Sequence, residues 1–274
     1  MPATNSTAVI DPRAQIAGDA EIGPYCVIGP DVVIAAGCRL MAHVHVTGHT
    51  TIGARTRIAP FTSLGTPPQS VRYRGGPTRL VIGADCDLRE SVTMNTGTED
   101  GGGVTIVGDR CLLMVGAHIG HDCMVGNNVT MANNALLGGH VVVGDNAVLG
   151  GHSVVHQFVR IGEGAMMAGF SGLGENLIPF GISIGQRSVL RGLNVVGLRR
   201  RGVIREQIRL LRRLYNQLFL AEGRFEDRFS SARKEFAGDP LADKILAFIA
   251  ERGKRPLLTK TGRAAAGEAD GPES

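Results

Sequence analysis

The chain has 274 residues, enough for one large domain or two modest ones, and carries a formal net charge of +4. Tryptophan is absent and aromatic residues make up only 4% of the sequence, which suits a slim solenoid filled with aliphatic side chains. The first residues are polar rather than a signal peptide, and nothing approaches the roughly 18 apolar residues of a membrane span. We therefore expect a cytoplasmic protein without a membrane span.

A six-residue repeat is established by Ile16 and carries most of the chain. An aliphatic residue recurs at every sixth position, a small or β-branched residue lies four positions later, and glycine often follows the aliphatic residue. The unbroken aliphatic positions of the central run are Val107, Leu113, Ile119, Val125, Met131, Leu137, Val143, Leu149, Val155, Ile161, Met167 and Leu173. A period of six fits a short strand and a tight corner, so three strands close a triangular coil, and successive coils stack about 4.8 Å apart. The repeat predicts a mainly β fold, a left-handed parallel β-helix stabilised by stacking between coils.

Five cysteines follow the same register. Each occupies the inward small-residue position of its repeat: Cys26, Cys38, Cys86, Cys111 and Cys123. There is no CxxC pair, so metal clamps and redox dithiols are disfavoured. We expect buried, reduced thiols that pack as small apolar side chains.

Two loops interrupt the repeat. The first, residues 65–79, is rich in proline, glycine and polar residues, and the register resumes at Ile82, which we expect to lie one coil after Leu64. The second, residues 96–103, shifts the register between Met94 and Val107. Loops that break so regular a wall are usually functional, with neutral insertion as the alternative.

After Leu173 the repeat fades, and from Arg199 the apolar period becomes helical. The apolar stripe comprises Ile204, Ile208, Leu211, Tyr215 and Leu218. Further helices are expected near residues 225–236 and 241–249. The sequence therefore predicts a β-helix domain over residues 1–190, a C-terminal α-helical domain over 191–253, and a disordered tail over 254–274.

The period of eighteen places three polar positions in one column. Eighteen residues separate His121 from Gly139, and another eighteen separate Gly139 from Gln157. The histidines that flank this column are His118, His140 and His156. None of these histidines occupies an inward position of the repeat, so we expect them to point outward or lie at corners.

Three interpretations of this histidine cluster compete. In the first, a histidine with a pKa near 6.5 acts as general base, Asp122 fixes its tautomer, and the Gly139 N–H stabilises an oxyanion. In the second, the imidazoles bind zinc, although nothing in the spacing makes three of them converge tetrahedrally. In the third, outward histidines build a subunit interface. We favour the catalytic interpretation and expect neither a metal nor a cofactor.

A dense group of arginines follows the repeat. It comprises Arg187, Arg191, Arg199, Arg200, Arg201, Arg205, Arg209, Arg212 and Arg213, with Glu206 as its one acid. This density indicates an anionic partner such as a diphosphate or an acidic protein. Nucleic acid is disfavoured because no aromatic residues are interleaved and no binding motif is present. A merely solvated helix face is the alternative.

Several motifs resemble one known family. AHIGHDCMVGNN (117–128), LGGH (137–140), VHQF (155–158) and NVVGLRRRG (194–202) resemble the UDP-N-acetylglucosamine O-acyltransferases of lipid A biosynthesis, as do PQSVRYRGGPTR and RESVTMNTGT in the two loops. The resemblance implies a homotrimer with active sites between adjacent solenoids. It also implies transfer of a 3-hydroxyacyl group from acyl carrier protein to position 3 of a UDP-linked glucosamine.

Carried over by position, the resemblance assigns a role to each candidate residue. His121 would be the general base, Asp122 its orienting partner and Gly139 the oxyanion donor. The substrate-binding residues would be Gln69, Arg72, Asn95, His118, His140, His156, Gln157, Asn194, Arg200 and Arg201. Among these, Arg200 would meet the donor. The acyl-chain pocket would contain Gly169, whose lack of a side chain leaves room for a long chain, and Arg187.

The sequence departs from the family pattern at five positions. Ser70 and Arg72 replace an aspartate and a lysine, Asn95 and Arg187 replace histidines, and Val196 replaces a glutamate. Three of these departures lie around the sugar or nucleotide, so the acceptor is either UDP-N-acetylglucosamine or its 3-amino analogue.

Other functions would be distinguishable. A related N-acyltransferase family carries an additional N-terminal uridine-binding domain, whereas here the repeat has begun by Ile16. A zinc carbonic anhydrase would contain bound metal. A non-catalytic scaffold would bind neither acyl carrier protein nor a nucleotide.

Overall fold

The computed structural model describes residues 3–251 and 253–260. The chain winds as a three-sided parallel β-helix whose sides are sheets of stacked short strands. We call these sheets faces A, B and C, and name each edge by the two faces that it joins. Because the chain visits the faces in the order A, B, C, each coil has an AB, a BC and a CA edge.

Face A contains β1 (Ala3–Thr4), β4 (Glu21–Ile22), β7 (Arg39–Leu40), β10 (Arg57–Ile58), β13 (Asp87–Leu88), β16 (Leu112–Leu113), β19 (Thr130–Met131), β22 (Val148–Leu149), β25 (Met166–Met167), β27 (Gly181–Ile184) and β28 (Val189–Leu193). Face B contains β2 (Val9–Ile10), β5 (Val27–Ile28), β8 (His45–Val46), β11 (Ser63–Thr66), β14 (Thr93–Asn95), β17 (His118–Ile119), β20 (Leu136–Leu137), β23 (Val154–Val155) and β26 (Gly172–Leu173). Face C contains β3 (Gln15–Ile16), β6 (Val33–Ile34), β9 (His49–Ile52), β12 (Arg79–Ile82), β15 (Val104–Val107), β18 (Met124–Val125), β21 (Val142–Val143) and β24 (Arg160–Ile161). Strand pairing is parallel except between β27 and β28, which form an antiparallel hairpin.

The core follows the six-residue register. In a typical strand the first side chain points outward and the second points inward. All twelve aliphatic residues of the central run are at most 3% exposed. The five cysteines are free and buried, as predicted. Each added coil therefore covers the apolar row of the coil before it.

The register across the first loop differs from our expectation. Ile82 pairs with Ile52 on face C rather than stacking on Leu64, and Met94 is the residue that stacks on Leu64. Paired residues are 30 apart here instead of 18, so the first loop adds twelve residues to one coil. The sequence prediction was wrong because a count in sixes does not say which face a strand joins.

The helical region matches the predicted period. It follows the β-helix and contains α1 (Val195–Arg200), α2 (Arg205–Phe219), α3 (Phe225–Glu235) and α4 (Pro240–Ala250). A separate 3-10 turn, Glu99–Gly101, lies in the second loop of the β-helix. Helix α2 buries most of the predicted stripe, including Ile208, Leu211 and Leu218. Ile204 is exposed because it precedes the first turn of α2 as its N-cap residue. None of the helices in the described ranges is long and apolar enough to cross a bilayer.

The segment after α4 differs from the disordered tail predicted from residue 254. Residues 253–260 return to the β-helix, where Leu257 forms a parallel bridge with Asn176 and Leu258 is buried. The Asn176 N–H donates to the Pro256 carbonyl at 2.7 Å, and the Leu258 N–H donates to the Asn176 carbonyl at 2.8 Å. The backbone therefore gains strand-like partners that composition alone did not indicate. Residues 261–274 of the predicted tail lie outside the described residues.

Candidate active site

The BC edge gathers the two loops and the predicted histidine column. Both loops leave the solenoid between a face B strand and a face C strand, since β11 is followed by β12 and β14 by β15. His121, Gly139 and Gln157 lie on this same edge in three successive coils. The His140 N–H donates to the His121 carbonyl at 2.9 Å, and the Phe158 N–H donates to the Gly139 carbonyl at 3.1 Å. The period of eighteen thus predicted the column correctly.

His121 and Asp122 form a hydrogen-bonded pair at the centre of this edge. The His121 Nδ1 atom lies 2.8 Å from the Asp122 Oδ2 atom. The imidazole is 17% exposed, whereas the Asp122 side chain has no exposed surface. Because an ionised carboxylate only accepts hydrogen bonds, the Nδ1 atom carries the proton, and Nε2 is left as the basic nitrogen.

The second loop holds Asp122 in place. The Thr98 N–H donates to Asp122 Oδ1 at 2.9 Å, and the Thr98 hydroxyl donates to Oδ2 at 2.7 Å. The Asp122 N–H donates to the Thr105 hydroxyl at 2.8 Å. Burial acts to raise the pKa of Asp122, but hydrogen bonds from His121 and Thr98 outweigh it, so the pKa is lowered and the carboxylate stays ionised. The sequence did not reveal Thr98, because a loop residue has no place in the repeat.

Gly139 lies close against the His121 ring. A Cβ atom at this position would come within 2.5 Å of His121 Cε1, so no side chain fits while the ring stays there. The Gly139 N–H has no hydrogen-bond acceptor within residues 3–251 and 253–260. It is therefore a donor that could stabilise an oxyanion formed next to His121.

His118 and His140 flank the pair, and both are held neutral. The His118 Nδ1 atom lies 2.8 Å from the Thr93 hydroxyl oxygen, and the His140 ring meets the His121 ring edge-on at 5.0 Å. Burial, with a smaller contribution from the neighbouring His121, lowers the pKa of His118. Burial also lowers the pKa of His140, in spite of the opposing charge of Asp122. Neutral imidazoles can both donate and accept hydrogen bonds.

These lowered pKa values predict a pH-dependent stability. A histidine whose folded pKa lies below the unfolded value of about 6.5 stabilises the fold fully above that pH, and this stabilisation is lost as the pH falls towards the folded pKa. We expect the melting temperature to fall between pH 7.5 and pH 5.5, as measured by scanning calorimetry. His140→Gln should flatten this dependence, whereas His152→Gln on the AB edge should leave it unchanged. An equally steep decline in the His140→Gln variant would contradict the assignment.

The predicted loop contacts have different environments. Gln69 and Arg72 are exposed in the first loop. Asn95 is buried, with its Nδ2 atom donating to the Thr66 hydroxyl at 2.9 Å and to the Pro67 carbonyl at 3.0 Å. Asn95 therefore anchors the base of the first loop, and its predicted contact with substrate stays a prediction.

The three predicted residues at α1 lie away from the BC edge of the same protomer. Asn194 is buried beside Gly164 on the CA edge, where its amide donates to the Gly164 carbonyl and caps α1. The Arg201 guanidinium also lies against Gly164. Its Nη1 atom lies 3.8 Å from the Glu163 carboxylate. Arg200 is exposed at the end of α1. This position of Asn194 gives no support for a nucleotide contact by its side chain.

The two predicted acyl-pocket residues share the AB edge. Gly169 lies at the corner between β25 and β26, and it is exposed. Arg187 lies in the hairpin turn between β27 and β28, which is joined to β26 because the Ser188 N–H donates to the Gly172 carbonyl at 3.0 Å. Within one protomer, His121 and the predicted acyl pocket are thus on different edges.

His121, Asp122 and His140 could geometrically hold a metal ion. One ligand atom from each lies within 4.8 Å of the others. However, both Asp122 oxygens already accept hydrogen bonds from Thr98 or His121. An ion at this position would have to displace one of these hydrogen bonds.

Comparison with known proteins identifies the family. A family model described as UDP-N-acetylglucosamine O-acyltransferase, domain 2, matches residues 177–258, and a bacterial transferase hexapeptide model matches residues 6–36 and 104–139. An acyl-[acyl-carrier-protein]–UDP-N-acetylglucosamine O-acyltransferase from Azorhizobium caulinodans is 54% identical over 258 residues, which cover 92% of this chain and 95% of the relative. A relative of the same name from Mesorhizobium japonicum is 51% identical over 249 residues, covering 91% and 89% of the two chains.

Solved structures agree with the sequence relatives. The structure of UDP-N-acetylglucosamine acyltransferase from Campylobacter jejuni matches with a TM-score of 0.88 and 36% identity, over 93% of this chain and 99% of that chain. These neighbours, with the hexapeptide match, confirm the predicted left-handed parallel β-helix. The chain therefore belongs to the acyl-[acyl-carrier-protein]–UDP-N-acetylglucosamine O-acyltransferase family.

Proposed function

We propose that this protein transfers a 3-hydroxyacyl group from acyl carrier protein to position 3 of UDP-N-acetylglucosamine or its 3-amino analogue. This reaction is the first step of lipid A biosynthesis. The observation that carries the proposal is the hydrogen-bonded pair of His121 and Asp122, packed against Gly139, whose N–H has no acceptor in the described residues. The relatives named for this activity align over nearly the whole chain.

The geometry supports general-base catalysis. His121 Nε2 accepts the proton of the sugar nucleophile as that nucleophile attacks the thioester carbonyl carbon. The carbonyl oxygen becomes an oxyanion, which accepts a hydrogen bond from the Gly139 N–H. As the oxyanion collapses, the carbon–sulfur bond breaks, and the proton on His121 passes to the leaving thiolate. Asp122 stabilises the transient imidazolium through the 2.8 Å hydrogen bond to Nδ1.

We expect Gly101 in the second loop to be sensitive to substitution. A Cβ atom at Gly101 would lie 2.2 Å from the Asp122 carboxylate carbon, which is held by three hydrogen bonds and cannot move freely. Gly101→Ala should therefore shift the pair and lower kcat by about 10²-fold, the typical cost of misplacing a catalytic group by about 1 Å. Gly18→Ala is the matched control, because a Cβ atom there meets nothing within 4 Å. Equal turnover in both variants would show that the second loop does not position Asp122.

We further propose a homotrimer whose protomers complete one another's sites. The predicted base lies on the BC edge, Arg201 on the CA edge and Gly169 on the AB edge, so one protomer cannot bring them to a single substrate. Apolar side chains are also exposed on both faces that flank the BC edge. They are Leu136 and Val154 on face B, and Met124 and Val142 on face C. Packing these rows against a second protomer would remove them from water.

The partners and chemistry follow from the charges. We propose that the arginines of residues 187–213 bind the acidic acyl carrier protein. We also propose that catalysis requires neither a metal nor a cofactor, because Asp122 serves His121 rather than an ion. We propose that the protein acts in the cytoplasm. Bound-metal analysis and chelator sensitivity separate this mechanism from the zinc alternative.

One experiment tests the function directly. The purified protein is incubated with UDP-sugars that bear a hydroxyl or an amine at position 3, each with a series of acyl carrier protein thioesters. Mass spectrometry should detect a 3-acylated UDP-sugar. The UDP-sugar and the thioester that together give the most product identify the two substrates. Absence of product from every pair would overturn the proposal.

A further inference from the structure

The segment that follows α4 reaches the BC edge and brings two cations to it. We call residues 253–258 the C-terminal strap. Asn176 fixes the strap, because its side-chain amide donates to the Arg255 carbonyl at 2.6 Å and its carbonyl accepts the Leu258 N–H at 2.8 Å. Arg160 is held in turn, since its N–H donates to the Asn176 side-chain oxygen at 2.7 Å. Asn176 thus links the strap to Arg160, which follows the last coil of the histidine column.

Arg255 makes two hydrogen bonds to the last coil of the histidine column. Its Nη2 atom lies 2.7 Å from His156 Nδ1, and its Nε atom donates to the Gln157 carbonyl at 3.0 Å. A guanidinium can only donate hydrogen bonds. His156 Nδ1 must therefore accept, which leaves the ring proton on Nε2.

This assignment resolves a competing contact. His156 Nδ1 also lies 3.2 Å from the Gln157 carbonyl oxygen, a distance at which Nδ1 would donate if it carried the proton. Nδ1 cannot donate to that oxygen and accept from Arg255 at once. The contact with Arg255 is shorter, and Arg255 satisfies the carbonyl as well. The Arg255 guanidinium thus donates to both His156 Nδ1 and the Gln157 carbonyl oxygen.

The neighbouring strap residue has a parallel contact. The Lys254 ammonium lies 4.0 Å from the centroid of the Phe158 ring, a cation–π distance. The other neighbour of Phe158 is His140, whose ring stacks on it at 4.4 Å with an interplanar angle of 9°. The strap therefore packs against the same edge that presents the neutral imidazoles, although it is about one hundred residues away in sequence.

We propose that Arg255 is a positioning residue of the acceptor site, which commits His156 to the tautomer that donates from Nε2 into the cleft. The proposal rests on the proposed function and on the family resemblance, which implies that His156 and Gln157 are substrate-binding residues. A donating Nε2–H suits an acceptor atom such as a phosphate or sugar oxygen. Without Arg255, His156 would be free to place its proton on Nδ1, and the cleft would then face that oxygen with a lone pair.

The first test uses steady-state kinetics with saturating acyl carrier protein thioester. Arg255→Met should raise KM for UDP-N-acetylglucosamine about tenfold, the worth of one charge-assisted hydrogen-bond network, with kcat within about twofold. Arg255→Lys should recover part of this loss, because an ammonium can still donate to Nδ1. Arg233→Met is the matched control, since Arg233 lines the adjoining cavity between α3 and the strap and, within residues 3–251 and 253–260, makes no hydrogen bond or ion pair to the BC edge. An unchanged KM in Arg255→Met would overturn the proposal.

The second test reads the tautomer in the unmodified protein. Long-range proton–nitrogen NMR of protein labelled with nitrogen-15 histidine should show His156 with its proton on Nε2, and His156→Gln identifies the signal by its loss. Arg255→Met should give a mixture of tautomers. A proton on Nδ1 in the unmodified protein would refute the inference. If no UDP-sugar is acylated, the proposed function fails, yet this spectrum still decides the role of Arg255.

Discussion

The His121→Ala variant is expected to lose about 10²-fold to 10⁴-fold in kcat, the usual contribution of a general base. The physical reason is that His121 Nε2 is the basic nitrogen beside the Gly139 N–H, and no other imidazole on the BC edge is oriented by a carboxylate at hydrogen-bond distance in the described residues. His140 comes next, but its Nε2 atom is 3.8 Å from Asp122. Turnover of the acceptor and thioester is measured by mass spectrometry of the acylated product.

His43→Ala is the matched control for this variant. His43 is also an outward histidine of the solenoid, but it lies on the AB edge several coils before His121 and stacks on Phe61 at a ring-centroid distance of 5.2 Å. It should retain full activity, and both variants should keep the mass of the assembled protein in light scattering. Normal turnover by His121→Ala would refute the assignment of the base, whereas loss of assembly would point to an interface role instead.

The Asp122→Asn variant should retain the fold but lose about 10²-fold in kcat, towards the lower end of what base catalysis contributes. The carboxylate accepts three hydrogen bonds, two from Thr98 and one from His121. An amide presents an NH₂ group to one of these donors, so either the loop or the imidazole loses its partner. A buried donor left unpaired costs about 1–3 kcal/mol, so a lower melting temperature should accompany the loss of activity.

Asp85→Asn provides the comparison for a carboxylate of the same solenoid. Asp85 forms an ion pair with Arg55 at 2.6 Å, but it lies at the surface of the CA edge. Exposed pairs contribute little to stability because water screens them, so this variant should change neither kcat nor the melting temperature. If Asp122→Asn behaved in the same way, the proposed orienting role of Asp122 would be wrong.

The sequence alone determined the solenoid and the column of His121, Gly139 and Gln157. A period of six requires the same backbone step at each corner, so residues eighteen apart stack whatever their identity. This is why His121, Gly139 and Gln157 could be aligned without coordinates, and why the inward cysteines could be recognised as core residues. The family motifs then added roles that spacing cannot supply.

Only the tertiary structure decided the contacts between segments that do not share this period. Thr98 reaches Asp122 from a loop, and Arg255 reaches His156 from a strap that composition had suggested to be disordered. The face on which Ile82 resumes the repeat was also undetermined. The physical reason is common to all three: a repeat specifies which residue follows which along the coil, whereas a loop or a returning strand is placed by hydrogen bonds to partners that are distant in sequence.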